Sequence, residues 1–103
     1  MIDWTRVREL KDEIGEEDFA EVAEMFIGEV EEVIDRLKVA PDPSRYEEDL
    51  HFIKSSALNL GFADLAARCQ TGERQAATGN TGSVDLAGVF ASYSASKSAF
   101  LDG

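Results

Sequence analysis

The residues most able to do chemistry lie in one short segment, residues 50–61. It holds the only histidine of the chain, His51, with Lys54 and the hydroxyl of Ser55 one helical turn later. A neutral imidazole is a good nucleophile near pH 7, because its unperturbed pKa is about 6.5. A nearby ammonium group can neutralise the charge of a phosphoryl group that the imidazole accepts. The spacing suits a phosphoryl acceptor, although an unreactive surface histidine is the simpler interpretation of the residue types alone.

Other reactions lack their usual residues in this sequence. There is no second histidine to activate a nucleophilic serine, no cluster of metal-ligand type and no glycine-rich phosphate loop. We therefore expect no metal site and no cofactor. Without a recognisable means of binding ATP, the chain is not predicted to be an autonomous kinase.

Helical periodicity predicts how the segment around His51 is presented. At 100° per residue, five apolar positions share one face within about 80° and form a predicted core stripe. These positions are Tyr46, Leu50, Ile53, Ala57 and Leu60. His51, Lys54, Ser55 and Leu58 fall together about 90° away from that stripe. Because position i+4 from Lys54 is not a carboxylate, we expect its ammonium group to be free and to point to solvent.

The rest of the chain is predicted to be helical too. Apolar residues recur at helical spacing almost throughout, and no stretch keeps a period-2 alternation. The predicted helices span residues 3–14, 16–39, 44–60, 62–78 and 83–101, with Asp3 capping the first and Gly61 ending the third. The expected fold is one all-α domain over residues 1–103, an antiparallel four-helix bundle with a short additional N-terminal helix.

Charge and composition limit the partners. The 103 residues carry a formal net charge of −11, and residues 1–49 account for it with 17 acidic and 6 basic residues. Residues 50–103 hold 4 acidic and 4 basic residues, so nucleic acid and anionic membranes are poor partners for either half. The single cysteine, Cys69, is expected to be a small buried hydrophobe. With no signal-peptide-like or membrane-length apolar run, we expect a cytoplasmic protein.

The string HFIKSSALNLG, from His51 to Gly61, resembles the signature of histidine-containing phosphotransfer (HPt) domains, roughly H-x-[LI]-K-G-[SA]-[SA]-x-x-[LIV]-G. The matching positions are His51, Ile53, Lys54, Ser56, Ala57, Leu60 and Gly61. Further along, Leu65, Cys69 and Glu73 resemble the continuation L-x-x-x-C-x-x-[LI]-[EQ] of the same family. The order of the helices is similar as well, so the resemblance extends over nearly the whole chain.

The resemblance implies a role for each matching polar residue. His51 would accept the phosphoryl group on Nε2, and Lys54 would stabilise that group electrostatically. Ser56 would occupy the small or hydroxyl position near the site. Glu73 would orient the neutral ring, although its carboxylate would also repel a phosphoryl group. Ser55 replaces the glycine at which the backbone of a partner usually comes close, so the range of partners or the transfer rate could differ.

Two further expectations concern the surroundings of His51. Gly72 stands where the family tends to carry an apolar core residue, so we expect either a loose helix or a large side chain, such as Phe90 or Tyr93, that fills the gap. Apolar residues near the histidine are candidates for a partner contact, with the edge of the core as the alternative. They are Phe52, Leu58 and Phe62.

The function implied is that of a stand-alone phosphorelay intermediate in two-component signal transduction. It would accept a phosphoryl group from the aspartyl phosphate of one response-regulator receiver domain and pass it to the aspartate of another, with Mg²⁺ held by the receiver. A hybrid sensor histidine kinase is a further candidate partner, and a monomer is expected. Two alternatives stay open: an HPt-like module that docks a receiver or kinase without carrying phosphate, and a structural helical domain of a longer kinase.

Overall fold

The computed structural model describes residues 2–103, which contain five α-helices and no β-strand. The helices are α1 (Trp4–Ile14), α2 (Glu16–Val39), α3 (Tyr46–Leu60), α4 (Ala63–Ala77) and α5 (Leu86–Asp102). They form a helical bundle, which confirms the all-α prediction. The antiparallel four-helix order stays a prediction.

α3 begins two residues later than predicted and α5 begins three residues later, because a 3₁₀ turn precedes each of them. The turn Pro43–Arg45 comes before α3, and the side chain of Asp42 accepts a hydrogen bond from the backbone N–H of Ser44 at its start. The turn Thr81–Ser83 comes before α5, whose N-cap is Asp85. The predicted N-cap of α1 is confirmed, since a carboxylate oxygen of Asp3 accepts a hydrogen bond from the backbone N–H of Arg6, the third residue of the helix.

The core is built from apolar faces of α2, α3, α4 and α5. All five predicted core positions of α3 are buried, and Leu50, Ile53 and Ala57 have no exposed surface. Burying each large aliphatic side chain contributes about 1.5–3 kcal/mol. This packing fixes the rotation of α3 about its own axis, so the neighbouring face with His51 is directed outwards.

The turn between α3 and α4 depends on Gly61. Its φ of +77° lies in the left-handed region, which ends α3 as predicted. A Cβ at this position would lie 2.6 Å from the carbonyl oxygen of Asp3, whose own N–H donates to the Gly61 carbonyl at 2.7 Å. The close contact attaches the start of α1 to the end of the histidine helix.

A partly buried ion pair joins α2 to α3 near the histidine. Asp49 is 3% exposed and accepts a hydrogen bond from the guanidinium of Arg36. That hydrogen bond raises the pKa of Arg36. A buried carboxylate needs such a partner, because an unpaired one is costly to remove from water. The pair therefore holds the segment two residues before His51 against α2.

Cys69 is buried, as predicted, with no exposed surface. Burial, and secondarily the charge of Glu73, raises the pKa of its thiol to about 12. Within residues 2–103, no helix has the length and apolar character needed to cross a membrane.

Candidate functional site

His51 lies midway along α3 with its side chain 63% exposed. Ser55 and Leu58, on the same predicted face, are exposed as well. The helical phase predicted from the apolar residues is therefore confirmed. The ring is open to a partner while its backbone is held by the packed stripe beneath it.

Glu73, from α4, joins the two candidate catalytic residues of α3. Its Oε1 lies 2.6 Å from Nδ1 of His51, and its Oε2 lies 2.6 Å from Nζ of Lys54. The side chains of Lys54 and Glu73 are only 21% and 17% exposed. The expectation that Lys54 is free and points to solvent is therefore wrong. Its own helix supplies no carboxylate, but the adjacent helix does.

The contact with Glu73 sets the tautomer of the imidazole. Burial raises the pKa of the Glu73 carboxyl, but hydrogen bonds from Lys54 and His51 lower it, and the net pKa lies below its usual value. The group is ionised at neutral pH and can only accept hydrogen bonds. Nδ1 of His51 must then carry the hydrogen, so in the neutral ring Nε2 holds the lone pair.

The two serines after Lys54 lie on different sides of α3. Ser55 is exposed, and its hydroxyl donates to the carbonyl oxygen of His51 at 3.1 Å, a common arrangement for serine within a helix. Ser56 is 4% exposed and lies about 140° around the helix from His51. The structure therefore places Ser56 inside the bundle rather than beside the imidazole, contrary to the predicted supporting role at the site.

The predicted apolar contact residues also divide into two groups. Phe52 is 38% exposed and Leu58 is 56% exposed, so both are available on α3 near His51. Phe62 is 1% exposed, and its ring packs edge-on against Phe100 with centroids 5.5 Å apart. The prediction that Phe62 contacts a partner is wrong, because the turn at the end of α3 directs this side chain into the core.

The structure adds a groove that sequence reasoning missed. His51 lines a groove of about 400 Å³ between α2 and α3, together with Arg36, Asp49 and Phe52. The feature of the sequence that could have indicated this groove is Asp49, an acidic residue next to a core position of α3. A carboxylate beside the buried face of a helix indicates a cationic partner, although the sequence does not identify that partner.

The gap at Gly72 is filled by apolar side chains, as one of the two expectations had it, but by other residues than those predicted. α4 runs without interruption through this residue, so the helix is not broken there. The space is filled by Leu50 and Val84, whose nearest atoms would lie 2.8 and 3.4 Å from a Cβ at Gly72. Neither Phe90 nor Tyr93 is the residue that fills the gap, because α3 comes close enough for Leu50 to do so.

Comparison with known protein families identifies the class of this chain. The family model described as "Hpt domain" matches residues 21–95, which extend from α2 into α5 and contain His51, Lys54 and Glu73. The chain therefore belongs to the Hpt domain family, and its role is in phosphotransfer in two-component signalling. Searches of curated proteins and of solved structures found no match.

Proposed function

We propose that His51 carries the phosphoryl group in a phosphorelay between receiver domains. The observation that supports this most directly is the exposed imidazole whose Nδ1 lies 2.6 Å from the Glu73 carboxylate. That contact leaves Nε2 as the nucleophilic nitrogen on a ring that a partner can reach. The family membership supports the same assignment, since Hpt domains interact with receiver domains and kinases.

In the proposed step, the Nε2 lone pair attacks the phosphorus atom of an aspartyl phosphate on the receiver. The new N–P bond forms as the bond between phosphorus and the aspartate oxygen breaks, and the aspartate leaves as a carboxylate. The imidazole becomes positively charged while Nδ1 keeps its hydrogen. Glu73 then stabilises this charge, as a carboxylate does for an imidazolium in other nucleophilic sites. The reverse step returns the phosphoryl group to an aspartate.

Lys54 has two electrostatic tasks in this scheme. It neutralises the carboxylate of Glu73, with which it forms an ion pair at 2.6 Å. Its other ammonium hydrogens can donate to the phosphoryl oxygens, because an ammonium group has three donors. Mg²⁺, which neutralises phosphoryl charge in such transfers, is proposed to be held by the receiver.

We propose that the receiver contacts the surface of α3 around His51, where Phe52 and Leu58 are exposed. Ser55 lies on the same surface, and its small side chain permits close approach of a partner backbone. A monomer in the cytoplasm is proposed. The core closes within one chain, and the one cysteine is a buried free thiol, as is usual in a reducing compartment.

The test is phosphotransfer from a panel of phosphorylated receiver domains to the wild type and to His51→Gln. We expect an acid-labile, alkali-stable label on the wild type and none on His51→Gln. Glu24→Gln, which changes an exposed glutamate of α2, is the matched control and should label like the wild type. Circular dichroism of all three proteins should coincide, because both positions are exposed.

The same experiment separates the alternative function. If no receiver transfers label to the wild type but receivers still bind it, the chain is a docking module without phosphate. Label that persists on His51→Gln would place the phosphoryl group on another residue and overturn the assignment.

A further inference from the structure

We infer that Gly72 is a positioning residue for the site, because it lets α3 and α4 approach closely enough for Glu73 to reach His51. The evidence is a pairing of neighbours on the two helices. Leu50 packs against Gly72, and the next residue of each helix, His51 and Glu73, forms the 2.6 Å contact. The steric fit and the chemical contact therefore depend on the same spacing.

A Cβ at Gly72 would overlap one neighbouring atom, on the side of the helix that faces α3. A Cβ at this position would lie 2.8 Å from Cδ1 of Leu50, whereas ordinary van der Waals contact begins at 3.4 Å. Val84 would be at 3.4 Å on another side. Gly72 is itself buried, and the position that its Cβ would take is occupied on the α3 side by the end of the Leu50 side chain.

Leu50 cannot readily move to accommodate an added methyl group. Its side chain has no exposed surface and belongs to the core cluster of the bundle. Packed interiors respond to added volume with off-rotamer side chains and backbone shifts. The shift expected here separates α3 from α4 and lengthens the contacts that Glu73 makes with His51 and Lys54.

A purely structural role for Gly72 makes a different prediction. Glycine within a helix is unfavourable relative to alanine, so Gly72→Ala would then alter stability and leave the imidazole unchanged. The state of the His51 ring distinguishes the two explanations. Ring-nitrogen NMR measures the fraction of neutral imidazole with its hydrogen on Nδ1, independently of any phosphotransfer.

The experiment compares Gly72→Ala with Gly28→Ala, the matched control on α2. Gly28 is exposed, and a Cβ there would meet nothing within 4 Å. We expect Gly72→Ala to lower the Nδ1–H fraction and to slow transfer about tenfold, because misplacing a catalytic group by about 1 Å can slow a reaction by as much as about a hundredfold. Gly28→Ala should raise the denaturation midpoint and leave the Nδ1–H fraction of His51 and the transfer rate as in the wild type.

Removing the obstructing methyl groups provides the rescue. Leu50→Val lacks the Cδ atoms, so adding it to Gly72→Ala should restore the wild-type ring signature. A folded Gly72→Ala protein with an unchanged Nδ1–H fraction would overturn the inference. If Gly72→Ala does not fold, the double variant decides: a wild-type ring signature supports the inference, and its loss contradicts it.

The rate part of this test rests on the proposed phosphoryl chemistry of His51, whereas the ring signature does not. If the wild type accepts no label, the proposed function fails. The inference about Gly72 is then tested by the NMR result alone.

Discussion

Replacing Glu73 with glutamine tests how the site selects the reactive nitrogen. The carboxylate accepts from two donors at once, Nδ1 of His51 and Nζ of Lys54, each at 2.6 Å. A glutamine of the same shape offers only one acceptor oxygen and one donating NH₂ group. It must turn the oxygen towards one of the two partners and the NH₂ group towards the other.

We expect the amide oxygen to accept its hydrogen bond from the ammonium group of Lys54 rather than from Nδ1 of His51. Hydrogen bonds to charged groups contribute about 1.5–3 kcal/mol and those between neutral groups about 0.5–1.5 kcal/mol, so the difference is about 1–1.5 kcal/mol. This corresponds to a preference of about tenfold. The NH₂ group then donates to Nδ1 of His51, which moves the imidazole hydrogen to Nε2. We expect the Nδ1–H fraction and the transfer rate of Glu73→Gln both to fall about tenfold.

Two measurements test the expected change of tautomer and the expected fall in the transfer rate. Ring-nitrogen NMR, at a pH where the imidazole is neutral, gives the tautomer, and rapid-quench transfer from a phosphorylated receiver gives the rate. Adding Lys54→Met removes the competing donor, so the amide oxygen can return to His51. That double variant should regain the Nδ1–H tautomer but not the rate, because it lacks the ammonium group.

A Glu73→Gln protein that keeps the wild-type tautomer and transfers within twofold of the wild-type rate would show that the carboxylate does not orient the ring. A changed tautomer with an unchanged rate would remove Nε2 as the attacking atom.

Three further predictions concern the charged groups around α3. Lys54→Ala should slow transfer and also lower the free energy of unfolding by about 1–2 kcal/mol, measured by urea denaturation, because it leaves the half-buried Glu73 without its ammonium partner. Arg36→Ala should lower the free energy of unfolding by about 1–3 kcal/mol, because it leaves the buried Asp49 unpaired. Adding Asp49→Ala should reduce this loss, and an equal loss in the single and double variants would contradict the pairing. The folded-state pKa of Glu73 is lowered, so its stabilising contribution is present above the ordinary glutamate pKa of about 4.3 and is lost as the pH falls through the lower value. Unfolding of Glu73→Gln should therefore depend less on pH in this acid range than that of the wild type or Glu24→Gln.

The sequence was sufficient to predict the rotation of α3, because one continuous apolar stripe determines which face of a helix is buried. It predicted the exposure of His51 for the same reason. It also predicted the end of α3 at Gly61, since a left-handed terminal residue is a local property of the chain. The Phe62 prediction failed just beyond that point. Periodicity predicts the direction of a side chain only within a helix, and the turn at Gly61 changes the direction of the side chain that follows it.

The partner of Lys54 could not be predicted from its own helix. Glu73 follows it by 19 residues, and their contact depends on the spacing and rotation of α4 relative to α3. The spacing in turn depends on Gly72, which the family pattern marked only as a departure. A glycine at a buried position indicates that another part of the protein comes close to it. Which residue does so depends on the tertiary structure, and here it is Leu50.

The pairing of Lys54 with Glu73 resolves a conflict within the proposed mechanism. A carboxylate that orients the imidazole also repels an incoming phosphoryl group, and repulsion is strong where water is partly excluded. With Lys54 at 2.6 Å the carboxylate is neutralised in place, so it can accept from Nδ1 without presenting net negative charge. In the proposed mechanism, Lys54 therefore neutralises Glu73 in the unphosphorylated site before it contacts the phosphoryl group. On this argument Lys54→Ala should slow transfer more in the wild-type background than in Glu73→Gln, where no carboxylate remains to be neutralised.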